Sequence, residues 1–402
     1  MTEWNQFKGD PHNSGCRREI DGPTRVTEGW TVDLAGPPGS PVCDRDTVYV
    51  GTARGNCYAL ERATGRRRWV AETTAATDTA PLVTRDRLFL GTADGTVRAL
   101  DPGRGEVEWE VDLVDGLEAA LALSDGRLYV GHADGVTALE PETGTELWRH
   151  ETESGVVGAP AVADGREGRR RRSALERDEP SDADPLAGTD PRPLETDRPA
   201  DTNGEWTGDR LFAGTEYGAV VALEAETGEE VWTAPADGAL EAGPTVADGR
   251  VYVADDEGTM VAMDAGTGQS WFTYEIRDAF TTSATVLPAA ETTFVGAADG
   301  YCHVTDTTVG RRKLRGWLFS RKGIELDGSI RSCPVVAGDV VCVGDASGSV
   351  YGIDVADDCD LAWHVALEDG VIGTPAIGDG RLFVGCEDER LHCLEWGDEP
   401  RR

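Results

Sequence analysis

The stretch Ser40–Trp69, SPVCDRDTVYVGTARGNCYALERATGRRRW, decides the fold. Its apolar-rich runs PVC, TVYVGT, CYALE and the closing RRW are separated by Arg45-Asp46, Arg54-Gly55 and Thr64-Gly65. Alternating β-branched and aromatic residues between such turn residues predict four short antiparallel strands joined by hairpins. Gly55 stands where a tight hairpin needs positive φ, which glycine adopts without steric cost.

The next stretch, Ala80–Trp109, reads APLVTRDRLFLGTADGTVRALDPGRGEVEW and repeats the pattern. Further copies begin near Ala120 and at Ala159, Gly243, Ser283, Cys333 and Thr374, which makes eight. A unit of about 40 residues is the period of propeller blades. One such sheet leaves both faces uncovered, so the copies must stack, and radial stacking predicts an all-β, eight-bladed β-propeller filling a single domain, residues 1–402.

The last copy ends at LHCLEWGDEPRR, before a fourth strand. Trp30, in EGWTVDL, precedes Pro41 much as Trp69 and Trp363 precede Pro81 and Pro375. The N-terminal strand, following a leader over residues 1–29, is therefore expected to complete the last blade and remove the open edges.

The blades resemble the pyrroloquinoline-quinone-type (PQQ) repeat family. Pro41, Val48, Tyr49, Val50, Gly51, Gly55, Tyr58, Ala59, Leu60, Thr64, Gly65 and Trp69 match its pattern in the first copy. Trp4, Phe7, Gly9, Asp10 and Gly15 resemble the leader found before the first blade of many members. The resemblance implies either quinoprotein dehydrogenases, with an adjacent cysteine pair, an acidic base and calcium-binding Glu and Asn, or non-catalytic scaffolds. Here no two cysteines are adjacent, and Asn occurs only at Asn5, Asn13, Asn56 and Asn203. The expectation is the non-catalytic branch: no enzyme, no catalytic residues, no PQQ and no metal. The alternative is a small-molecule or quinone-binding propeller, or a dehydrogenase, acting in the central funnel.

Composition narrows the partners. Seventy-four acids against 38 bases give a net charge of -36, which repels nucleic acid and anionic membrane alike. Lysine occurs only at Lys8, Lys313 and Lys322. This acidic, lysine-poor balance resembles cytoplasmic proteins of salt-accumulating halophilic archaea. Neither a signal peptide nor a run of about 18 apolar residues is present, so a cytoplasmic, monomeric protein is expected.

The recurring Trp30, Trp69, Trp109, Trp148, Trp232, Trp271 and Trp363 are expected to be structural, packing between blades. The pairs Cys302-His303 and His392-Cys393 invite a metal, but neighbours on a strand point to opposite faces, so neither pair is expected to chelate one ion. Two departures from the repeat stand out. Residues 166–208, nearly devoid of apolar side chains, are expected to form a disordered loop within the fourth blade. Arg311, Arg312, Lys313, Arg315, Trp317, Arg321 and Lys322, with Phe319, are the expected docking site for an unidentified protein partner.

Overall fold

In the computed structural model, Val42–Cys43, Thr47–Gly51, Asn56–Glu61 and Arg67–Glu72 pair antiparallel in that order. We label these positions A to D, from the axis outward. The structure describes residues 4–73, 75–113, 116, 120–165, 208–314, 322–356 and 358–397. Eight sheets of this plan make the closed, all-β propeller. Strands A to C are almost wholly buried and the D strands half exposed, as in Arg67–Glu72, because each blade faces its neighbours everywhere except its outer edge.

Closure uses the N-terminus as the repeat register requires. Thr27–Asp33 supplies strand D of blade eight, antiparallel to Arg390–Glu395, with Trp30 opposite Cys393. The strand begins inside the segment read as leader, at Thr27.

The tryptophans link successive blades through one repeated contact. Trp69 Nε1 donates to the Pro102 carbonyl of blade two at 2.9 Å, and Trp109 Nε1 to the Pro141 carbonyl of blade three at 3.0 Å. Trp148 and Trp232 repeat this on Ala225 and Ala265, and Trp30 carries the link across the seam to Arg62 of blade one. Each ring also covers the C–D turn glycine of the next blade, at Gly65, Gly105, Gly144, Gly228 and Gly268. At Gly65, φ is +70° and an added Cβ would lie 2.7 Å from the Trp30 ring, so both backbone and packing demand glycine.

Two positions depart from this. In blade five Phe272, not Trp271, pairs with Ala262, is 8% exposed and covers Gly310. Trp271 is 43% exposed; Arg250 stacks on its ring at 4.5 Å, and its Nε1 reaches the Thr308 carbonyl. The expectation that Trp271 holds the blade slot is thus corrected: Phe272 follows Gly268 by four residues, as Trp69 follows Gly65, and Trp271 falls on the bulged position that Arg68 takes in blade one. In blade seven Trp363 donates to Pro23 of the leader, which stands where the other blades present a C–D hairpin.

Candidate functional site

Eight A strands converging on one axis leave room only for small side chains. Ser40, Ala80, Ala120, Ala159, Gly243, Cys333 and Thr374, one beside or on strand A of every blade but the sixth, line a funnel of about 530 Å³. Asp78, Glu241 and Arg331 stand at the same funnel with Ile372, and Phe7 of the leader lies within it. Strand A runs away from the mouth, so the D–A connections and B–C hairpins surround the mouth. The A–B and C–D turns lie at the opposite end.

The leader closes that opposite end by bonding to the A strands in turn. Trp4 exchanges two backbone hydrogen bonds with Cys43, at 3.0 and 2.7 Å. Carbonyls of Asn5, Pro11, His12 and Gly15 accept from Val83, Val162, Val246 and Val336, at 2.6 to 2.9 Å. The Gln6 side chain does the same for blade three through Leu123, at 2.9 Å. Cys16–Arg17 then lies parallel to Val335–Ala337 as a fifth strand of blade seven. These bonds satisfy strand groups that no neighbouring strand reaches.

Lys8 sits at the centre of this plug, fully buried. Its ammonium donates to the Ala284 carbonyl at 2.6 Å, Ser283 Oγ at 3.2 Å and Thr245 Oγ1 at 3.4 Å. Burial lowers its pKa to about 8, with Cys333, Cys16 and Asp10 opposing that shift. Ser283 also donates to Cys333 Sγ at 3.2 Å, which links the plug to the funnel wall.

The expected docking segment is only partly described; Arg315, Trp317, Phe319 and Arg321 lie outside the described residues, as do residues 166–207 of the insertion expected over 166–208. The described cations turn to their own surroundings. Lys313 Nζ bonds the Glu291 carbonyl at 3.1 Å and Thr292 Oγ1 at 2.6 Å, besides the Ala290 carbonyl. Arg312 Nε donates to the Tyr274 hydroxyl at 3.2 Å. Lys322 lies 4.0 Å from Asp299 and 5.1 Å from the Tyr301 ring centroid. Arg311 is held through its backbone N–H by Asp306 at 2.9 Å. The contacts of Lys313 and Lys322 thus stay within blade six, whereas Arg312 reaches strand D of blade five.

The sequence pairs Cys302-His303 and His392-Cys393 are split across strand faces as expected. His303 instead meets Asp299 at 3.2 Å and the Tyr274 hydroxyl at 2.9 Å. His392 meets Asp388 at 3.0 Å, and Cys386 completes a group whose donor atoms lie within 4.8 Å of one another. Reading adjacent residues missed this trio. The available signal was C-x-D-x-x-x-H spanning a single B–C hairpin, Cys386 to His392.

The fold and its plugged funnel define the class: a closed, eight-bladed PQQ-repeat propeller. Residues 24–115, 93–178 and 195–398 match the family described as "Outer membrane protein assembly factor BamB", and the chain belongs to that family. Among curated proteins it is similar to the serine/threonine-protein kinase AfsK of Streptomyces griseus, 30% identical over 169 residues, 39% of this chain. It spans 20% of that kinase's length. BamB from Moraxella catarrhalis superposes with a TM-score of 0.66 at 18% identity, covering 94% of this chain and 100% of that one. The quinohemoprotein alcohol dehydrogenase of Comamonas testosteroni gives 0.71 at 12% identity, covering 100% and 82%. At such identities the likeness concerns the fold.

Proposed function

We propose that this protein is a non-catalytic scaffold whose funnel-mouth face binds a protein partner. The observation that carries the reading is the composition of that face. The B–C hairpin of blade four presents Tyr217, 81% exposed, at the same end as exposed Asp94, Asp134, Asp256 and Glu257 on other B–C hairpins. An aromatic anchor surrounded by charge, on loops held by rigid sheets, suits protein recognition. The acidic surroundings select a partner with a basic face. The family's description as an assembly factor supports contact with proteins, and the kinase relative supports use of such a propeller within a larger assembly. On composition, the setting is the cytoplasm of a salt-accumulating archaeon, with the protein monomeric and free of PQQ.

A second reading, a small-molecule or quinone binder or a dehydrogenase, draws support from the funnel's volume of about 530 Å³ and its Asp78, Glu241 and Arg331. One preparation tests both. Cross-linked captures from host lysate at molar salt are compared for the wild type, Tyr217→Ala with Glu257→Lys, and Arg312→Glu on the opposite side. The scaffold reading expects one partner that the mouth variant loses and Arg312→Glu retains. A quinone or sugar extracted from the same protein, with captures indifferent to the mouth variant, would replace it with the funnel reading.

A further inference from the structure

We propose that Cys386, Asp388 and His392 form a binding site for a zinc-class dication at the seam where the ring closes. Cys386 ends strand B of blade eight, Arg381–Cys386, and His392 lies in strand C, Arg390–Glu395. Cys386 is opposite Arg390 and Val384 opposite His392, so Cys386 and His392 project from the same face of the hairpin. Asp388 comes from the turn between them. The three donor atoms lie within 4.8 Å of one another, Cys386 is fully buried, and the Asp388 and His392 side chains are 8% and 6% exposed.

The hydrogen bonding around His392 supplies a second observation. Thr31 Oγ1 donates its one proton to Glu28 Oε1 at 2.9 Å, so it accepts from His392 Nδ1–H at 3.2 Å. The outward ring nitrogen, Nε2, then faces Asp388 Oδ2 at 3.0 Å. The ring nitrogen and the carboxylate oxygen thus lie with the Cys386 sulfur inside one cluster of three donors. An outer hydroxyl fixing the ring is the arrangement that metal-binding histidines use. The Arg390 guanidinium, 3.8 Å from Asp388, already balances part of the carboxylate's charge while also holding Asp33 and Glu368.

Blade six provides an internal comparison. Asp299 and His303 occupy the positions of Asp388 and His392, but Ala297 stands where blade eight has Cys386. There the second ring nitrogen is taken by Tyr274, and no third donor joins the pair among the described residues. Thiolate, imidazole and carboxylate together suit zinc with one position left for water. Binding displaces the thiol proton of Cys386, now donated to the Asp369 carbonyl at 2.9 Å, to solvent. Because Thr31 belongs to the closing strand, a bound ion braces the hairpin that this strand pairs with.

The test uses the full-length chain, stripped of metal and titrated with zinc or cobalt at molar salt. The expected result is about one ion per chain, with a thiolate-to-cobalt charge-transfer band. Binding and band should be lost in Cys386→Ser and at least tenfold weaker in His392→Ala, with Cys359→Ser behaving as wild type. Zinc should raise the melting temperature of the wild type and not of Cys386→Ser, which also shows whether that variant folds. No binding to the folded wild type at micromolar zinc, or binding that Cys386→Ser leaves unchanged, would overturn the site.

Discussion

Phe272 and Trp271 show how a single residue's register governs packing. Phe272 fills the inter-blade slot over Gly310, so Phe272→Ala should cost about 3 to 5 kcal/mol in chemical denaturation. Trp271→Ala should cost about 1 kcal/mol, since the ring is half exposed and held chiefly by Arg250. Equal losses would contradict the assignment of the slot to Phe272. The choice was legible in the sequence, since Phe272 follows Gly268 by the same four residues that separate Trp69 from Gly65. Lys8 was legible only as a leader residue; its burial depends on residues far along the chain, Thr245, Ser283 and Ala284. Its pKa is lowered in the fold, to about 8. Between pH 8 and the ordinary lysine value the unfolded chain therefore binds more protons, and this group's contribution rises with pH. The stability of Lys8→Met relative to the wild type should accordingly fall by roughly 3 kcal/mol between pH 7 and pH 10.5, whatever its sign at pH 7. The buried cysteines, whose pKa values are raised, act in the opposite direction above pH 9, so the measurement is the difference between the two proteins.

Among the elements, the closing strand and the leader perform separate tasks on one continuous segment. Thr27–Asp33 completes blade eight, whereas residues 4–17 bond to the A strands around the opposite end of the funnel. Deleting residues 1–33 should remove both, lower the melting temperature by roughly 10 °C or more and broaden the transition. An unchanged calorimetric transition would count against closure by this strand. The spacing of Trp30 from Pro41 revealed closure in the sequence, because one repeated distance ties strand D to the following strand A. The leader's course was not legible in the same way. It follows carbonyls and N–H groups that become available only after the A strands have converged.

For the whole molecule, charge sets the conditions of folding. A net charge of -36 implies self-repulsion that salt must screen, and the screening length falls from about 10 Å at 0.1 M to about 3 Å at 1 M. Thermal unfolding followed by circular dichroism should shift upward with potassium chloride across that range; a full, salt-independent transition at millimolar salt would remove the basis for the halophilic setting. Repeat period, turn residues and the displaced Trp30 determined blade number, strand order and ring closure from sequence alone, because each follows from local chemistry repeated at fixed spacing. Tertiary structure alone decided what lies side by side. It buried Lys8 in the plug, turned Lys313 toward its own blade and Arg312 toward Tyr274 of blade five, and brought His392 together with Cys386 instead of its neighbour Cys393. Hairpin faces and ring convergence set those proximities, and chain order does not carry them.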